Sequence, residues 1–274
     1  LGAVHTLTHL LLRGNKLSSL PDSLQGLAQL VVLDLEENAL AELPAWVGQL
    51  TQLRKLVLGG NRLVALPPTV GALADLSSLR LEGNLLSALP EELGRLDRLE
   101  ELFLEGNGLQ ALPGSFGGLE RLQTLQLQQN ELSALPESLG GCVCLEALDA
   151  SRNRLAWLPE SVGELRALRE LDLRSNALTS LPEGFGGLHA LETLSLRANK
   201  LSSLPDSFGG LSSLSSLDAS ENRLEGLEGL PERFGRLSRL RMLRLGHNEL
   251  QGLPDSVGDL RALVELHVEH NRLT

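Results

Sequence analysis

Three of the six histidines, His247, His267 and His270, gather near the end of the chain, with Glu265, Glu269 and Arg244 in the same stretch. Two imidazoles and a carboxylate are a sufficient start for a divalent-metal site. The same groups would also give a contact surface that responds to pH. The sequence supplies no second shell for an ion, so no residue is assigned to a metal. The two cysteines, Cys142 and Cys144, are separated by one residue. That spacing is poor geometry for a disulfide and offers too few ligands for zinc. There is no G-x-S-x-G, Walker loop or H-E-x-x-H, and the glycines follow a repeating frame rather than a phosphate loop. A catalyst needs a nucleophile with its base, or a metal, in a pocket. Neither is legible, so the chain reads as a non-enzyme with no cofactor, and its chemistry as recognition.

The frame that positions these residues is set by asparagine. Twelve asparagines, from Asn15 to Asn271, recur at steps of 23 residues, except for a step of 26 between Asn222 and Asn248. Each is followed two residues later by leucine. A fixed period of this size indicates a stacked array. One unit, from Leu30 to Gln52, reads L-x-x-L-x-L-x-x-N-x-L-x-x-L-P-x-x-[LVF]-G-x-L-x-x. In Leu33-Asp34-Leu35 apolar and polar residues alternate, the period of a short strand with one buried face. One strand per unit pairs in parallel with the next. The LPxxLGxL segment carries the chain back, Pro44 fixing φ and Gly48 permitting a tight turn before Leu50. Short 3₁₀ or helical turns are expected there. The asparagine amide has two donors and an acceptor, enough to satisfy its own turn and that of the next repeat. Phe116, Phe185, Phe208 and Phe234 replace the apolar residue before glycine and are expected in the core.

This pattern resembles the leucine-rich repeat family over the whole chain, and its LPxxLGxL half is similar to the intracellular branch. Arrays of that branch occur in the death-domain protein PIDD, the polarity scaffolds Scribble and Erbin, Ras-pathway scaffolds and Roco GTPases. The resemblance implies an α/β solenoid, a horseshoe with a parallel concave sheet and short 3₁₀ or helical turns on the convex side. It also implies one domain, residues 1–274, of about twelve repeats with a three-residue insertion near 227–229. Leu1-Gly2-Ala3-Val4 matches the end of an earlier repeat, and Leu273-Thr274 stops before an LP. Without polar caps, the chain is expected to be an excerpt, truncated at both ends.

A net charge of −11 argues against a general nucleic-acid-binding role. No run approaches 18 apolar residues, so no membrane insertion is expected. Extracellular members of the family usually carry cysteine-rich caps, and Toll-like ectodomains carry glycosylation sequons. Cys142 and Cys144 lie inside one repeat, Cys142 in a buried leucine slot and Cys144 in a more exposed one. No asparagine is followed by x-Ser/Thr. Both features point to a cytoplasmic setting. The resemblance therefore implies a protein-interaction module, the scaffold or recognition arm of a larger intracellular signalling protein. The alternative is the ligand-recognition domain of an extracellular or bacterial surface receptor.

A protein partner is expected on the concave face. With asparagine as position 9, its residues occupy positions 3, 5, 7 and 8. The second repeat offers Asp34, Glu36 and Glu37. The next three offer Val57, Arg80, Glu82, Glu101, Phe103 and Glu105, with Phe103 the only aromatic in these columns. An exposed aromatic ringed by charge is the usual composition of an interface anchor. Central repeats carry Asp149, Asp172 and Asp218 near Arg152, Arg174 and Arg197, at strand spacings suited to ion-pair ladders. These ladders read either as a solvated face or as a mixed-charge docking surface. Arg244, His247, His267 and His270 complete the set. Trp46 and Trp157 read as rim contacts or as side chains partly packed on an adjacent turn. The insertion reads as a bulge on the ascending loop, a contact or a neutral duplication.

Overall fold

The computed structural model describes residues 4–226 and 229–274. The chain divides into two units, Leu1–Leu132 and Ser133–Thr274. The first holds strands β1 (His9–Leu11), β2 (Val32–Asp34), β3 (Lys55–Val57), β4 (Ser78–Arg80), β5 (Glu101–Phe103) and β6 (Thr124–Gln126). The second holds β7 (Ala147–Asp149), β8 (Glu170–Asp172), β9 (Thr193–Ser195), β10 (Ser216–Asp218), β11 (Met242–Arg244) and β12 (Glu265–His267). Within each unit neighbouring strands are parallel, and each central leucine stands opposite its equivalent, as in Leu33, Leu56, Leu79 and Leu102. Each unit is a solenoid built of one strand and one 3₁₀ turn per repeat. Among the described residues no helix is long and apolar enough to cross a membrane.

The longer step does not break this order. Leu217 pairs with Leu243 across the 26-residue interval, and Glu225 bridges to Glu249. Residues 227 and 228 of the expected insertion lie outside the described residues. Gly229 is buried, and its carbonyl accepts from the Leu204 N–H at 3.2 Å.

Leucine at most inward positions fills the interior, and Leu56, Leu79, Leu102, Leu194 and Leu217 are fully or almost fully buried. Phe116, Phe185, Phe208 and Phe234 are wholly buried, as expected of core residues. In the second unit Phe185, Phe208 and Phe234 stack face to face at 6.1 and 6.0 Å. One repeat's aromatic thus supplies the packing surface of the next.

The asparagines bridge to the preceding repeat rather than the following one. Asn61 donates to Leu58 O in its own turn at 3.0 Å and to Leu35 O at 2.9 Å, and accepts from Leu40 N–H at 3.0 Å. Asn84 repeats the pattern with Leu81 O, Leu58 O and Leu63 N–H. Buried peptide groups left unpaired cost roughly 1–3 kcal/mol each, so each amide ties two repeats together.

The glycine of LPxxLGxL has a different reason from a tight turn. Gly48 is not left-handed, but a Cβ there would lie 2.8 Å from Thr69 Cβ and closer still to its carbonyl oxygen. The same approach recurs at Gly71 on Glu92 and Gly94 on Ser115. Successive turns touch backbone to backbone, and a side chain would hold them apart. The turn side also consumes carboxylates. Glu91 accepts from the N–H groups of Gly114 and Ser115 in the next repeat at 3.0 and 2.9 Å, and Glu160 accepts from Gly184 at 2.8 Å. These bonds satisfy amides that begin the next 3₁₀ turn, and they pull the Glu91 carboxyl below its ordinary value.

Candidate protein-binding face

Positions 3 and 5 flank the central leucine of each strand, which is buried in β1 to β11 and exposed in β12. Position 7 follows, and position 8 turns the chain. All twelve position-8 residues are left-handed, with φ between 53° and 69°. Gly14, Gly60, Gly83 and Gly106 adopt this freely, whereas Glu37, Arg152, His247 and His270 are held there despite a side chain. Position 8 is therefore fixed by the turn as well as available for contact.

In the first unit Asp34 is half-buried and its carboxylate accepts from Glu36 N–H at 3.1 Å. The acidic group expected around it is partly neutralised. Arg13 reaches Glu36 at 2.7 Å and Glu37 at 2.9 Å. The hydrogen bond to Glu37, then the Glu36 charge, raises the Arg13 pKa. Val57 does not lie on the surface as expected. It is 4% exposed, a short side chain standing in register between Asp34 and Arg80.

The densest group lies on β4 and β5. Arg80 and Phe103 are paired in register, and the guanidinium carbon sits 4.2 Å over the ring centroid. Such a contact is worth about 0.5–1 kcal/mol at exposed sites. Phe103 is half-buried, an aromatic capped by a cation rather than a bare ring. Glu101 accepts from Ser78 Oγ at 2.9 Å. The Glu82 side chain lies over Gly59, where a Cβ would come within 2.7 Å of its carboxyl carbon. Arg80 Nε and Glu82 Oε2 are buried without a hydrogen-bond partner. Glu105 is half-buried one repeat further on.

In the second unit the position-5 aspartates serve their own turns. Asp149, Asp172 and Asp218 accept from the N–H two residues on, at Ser151, Arg174 and Ser220, at 2.9, 3.0 and 3.0 Å. Asp149 also stands directly opposite Asp172. Burial raises the Asp172 pKa, and the charges of Asp149 and Asp218 add to it against the opposing Arg174 N–H and guanidinium. The expected Asp–Arg ladders take another form. Arg174 pairs with Asp172 of its own repeat at 3.2 Å, and Arg197 reaches Glu221 of the next at 2.7 Å. Arg152 is exposed.

At the end of this unit Arg244 is half-buried between Asp218 and His267 in register. His247 and His270 stack at 4.3 Å, and His267 lies 3.6 Å from Glu265 and 3.9 Å from Glu269. Among the described residues no group of three or more His, Cys, Asp or Glu is arranged to hold a metal ion. Cys142 is buried and Cys144 exposed, and burial pushes the Cys142 thiol up to about 12. Trp46 is packed at 7% exposure, whereas Trp157 is 58% exposed and departs from the packed reading.

Sequence reasoning missed the Arg13 ion pairs and the stacking of Arg80 on Phe103, both of which depend on register between repeats. The left-handed position 8 did leave a signal, the four glycines in that column.

A stack of strand–turn units tied by a buried asparagine, with varied side chains on one sheet face, defines a class of solenoid binding protein. The family model described as leucine rich repeat matches residues 51–109, 111–155, 164–224 and 229–273, and a second of the same description matches 6–27. The chain belongs to the leucine-rich repeat family. Arrays of this family are typically non-catalytic binding modules.

Among solved structures, the chain is similar to a leucine-rich repeat protein of Leptospira interrogans, with 34% identity and a TM-score of 0.89, covering 100% of this chain and 69% of that one. It is also similar to the plant peptide hormone receptor RGFR1, solved in complex with RGF2, at 29% identity and TM-score 0.76, covering 98% of this chain and 52% of the receptor. The Toll–Spatzle complex of Drosophila, at 24% identity and TM-score 0.79, shares the fold; it covers 99% of this chain and 42% of that one. The chain thus spans about half the length of the plant receptor. No curated protein matches it significantly.

Proposed function

We propose that the chain is a non-catalytic protein-binding module, that its strand face is a concave binding surface, and that it forms the scaffold or recognition arm of a larger cytoplasmic signalling protein. The observation that carries the binding surface is the Arg80–Phe103 stack bordered by Glu82, Glu101 and Glu105. An aromatic and an arginine held together amid charge are the residue types that dominate interface energetics. Three carboxylates in the same two repeats favour a partner that presents basic side chains. The net charge of −11 weighs against nucleic acid. The placing of both cysteines inside one repeat and the lack of any sequon support the cytoplasm.

The test is quantitative capture from a lysate of the source cells with wild type, Phe103→Ser and Arg80→Ala. Both variants are expected to lose the same partner at least tenfold while keeping the wild-type melting curve. Equal capture by all three chains would discard the surface. A second reading is favoured by the similarity to a plant peptide hormone receptor and to a bacterial leucine-rich repeat protein over nearly the whole chain. In that reading the module is the ligand-recognition domain of a bacterial surface or extracellular protein. Fractionation of the native protein separates the two: recovery outside the cytoplasm selects the second.

A further inference from the structure

At the opposite end of the strands from the asparagine turns, the edge of the first unit carries a separate group of charges. Position 2, one residue before each strand, holds Arg54, Ser77 and Glu100 in successive repeats. The residue immediately before each repeat's first leucine adds Asp75, Arg98 and Arg121. These six side chains line one groove of about 280 Å³. That is slightly below the range of cofactor and drug-sized pockets, and is large enough for one functional group.

Three guanidiniums face two carboxylates there, a local positive excess on a chain of net charge −11. Arg98 is held by an ion pair to Asp75, which fixes its plane and leaves further donors free. Ser77 Oγ donates to Arg54 O at 3.1 Å, so the hydroxyl fastens the backbone beneath Arg54. Arg54 and Arg121 are exposed, and neither makes an ion pair among the described residues.

The second unit supplies an internal control. Its position-2 row has the same backbone ladder: Arg169 N–H donates to Glu146 O at 2.8 Å, as Arg54 N–H donates to Val31 O at 2.8 Å. There, however, Arg169 lies between two acids, Glu192 at 2.9 Å and Glu146 at 3.9 Å. Arg54 stands between Val31 and Ser77, neither of which carries charge. One arginine is saturated by its neighbouring repeats and the other is not.

We infer that the groove of Arg54, Arg98 and Arg121 binds a single phosphate-type oxyanion. A guanidinium matches the paired oxygens of such a group, and three of them around one groove match a tetrahedral anion better than a planar carboxylate. The surrounding negative charge repels extended polyanions, which restricts the ligand to an isolated group. Glu100 opposes binding and limits the affinity.

The experiment is calorimetric titration of the full chain at low ionic strength. The probes are inorganic phosphate, a neutral phosphoserine peptide and its unphosphorylated counterpart. Saturable binding of both phosphate probes and none of the serine peptide is expected. Tighter binding of the phosphopeptide identifies a modified protein as the source, and equal binding identifies the free anion. Arg54→Gln with Arg121→Gln should weaken binding at least tenfold, Glu100→Gln should strengthen it, and Arg169→Gln and Phe103→Ser should leave it unchanged. Absence of saturable binding, or equal weakening by Arg169→Gln, overturns the site. Melting curves confirm that the exposed substitutions leave the fold intact, and the Phe103→Ser arm keeps this outcome separate from that of the strand face.

Discussion

Glu91 and Asp172 are both carboxylates that accept backbone N–H groups, yet they do opposite work. Glu91, on the turn side of the first unit, accepts from Gly114 and Ser115 of the following repeat, and its pKa falls. Asp172, on the strand face of the second unit, accepts from Arg174 of its own repeat, faces Asp149, and its pKa rises. A side chain that bonds across a repeat boundary stabilises the stack. One that bonds within its repeat shapes a surface and retains an unfavourable charge. The same division separates Asn84, which bridges two repeats, from Phe103, whose ring is covered only by a neighbouring surface arginine. It also explains how a strongly acidic chain stacks at all, because part of its negative charge is committed to amides of the next turn.

The division is tested most severely at the asparagine. Asn84→Ala removes the partner of Leu63 N–H and one of the two asparagine donors at each of Leu58 O and Leu81 O, which keep Asn61 and Asn107 respectively. One unpaired buried N–H at roughly 1–3 kcal/mol and two lost hydrogen bonds at about 0.5–1.5 kcal/mol each put the loss at about 2 kcal/mol or more. Urea denaturation with hydrogen exchange should show the damage centred on residues 58–84 and falling with distance, as expected of nearest-neighbour stacking. Uniform loss along the chain, or none, would break the distinction. Gly94→Ala is the next in size. Its Cβ would lie 2.7 Å from Ser115 Cβ and closer to the Ser115 backbone carbonyl oxygen. Overpacking of this kind costs about 1–3 kcal/mol, whereas Gly258→Ala, which meets nothing within 4 Å, should cost little by the same melting measurement.

The same distinction marks what the sequence reveals. The asparagine period and the alternation around Leu33 fix the strands, their order and the buried leucines, because one repeat read correctly is read twelve times. The buried phenylalanines follow from their slot. Properties that arise between repeats are less legible. Val57 occupies a surface column but is covered because Asp34 and Arg80 rise on either side of it. Gly48 has the look of a turn glycine, yet its reason is the backbone of Thr69 in the next repeat. Trp46, in an outer 3₁₀ turn, packs, and Trp157, just before its LP, does not. Arg80 stacking on Phe103 needs the register of β4 on β5. Each case requires the neighbouring repeat's side chains in place, which a one-dimensional period does not contain.

The smallest effect is the most discriminating, because its sign is opposite on the two sides. The Glu91 pKa lies below its ordinary 4.5, so its contribution is present above that value and is lost as pH falls through the lowered one. The Asp172 pKa lies above its ordinary 3.8, so protonation favours the folded state. Its contribution is present below 3.8 and is lost as pH rises through the raised value. Removing the titration isolates each group. Glu91→Gln should lower the melting temperature near neutral pH and flatten the acid limb of the stability curve. Asp172→Asn keeps an acceptor for Arg174 N–H and removes a charge opposite Asp149, so it should raise the melting temperature near neutral pH. That gain should vanish on acidification below the raised value, and it should be smaller than the Gly94→Ala loss. If Asp172→Asn lowers stability at neutral pH, the aspartate is holding the stack as Glu91 does, and the line between boundary-crossing and surface-shaping side chains is drawn in the wrong place.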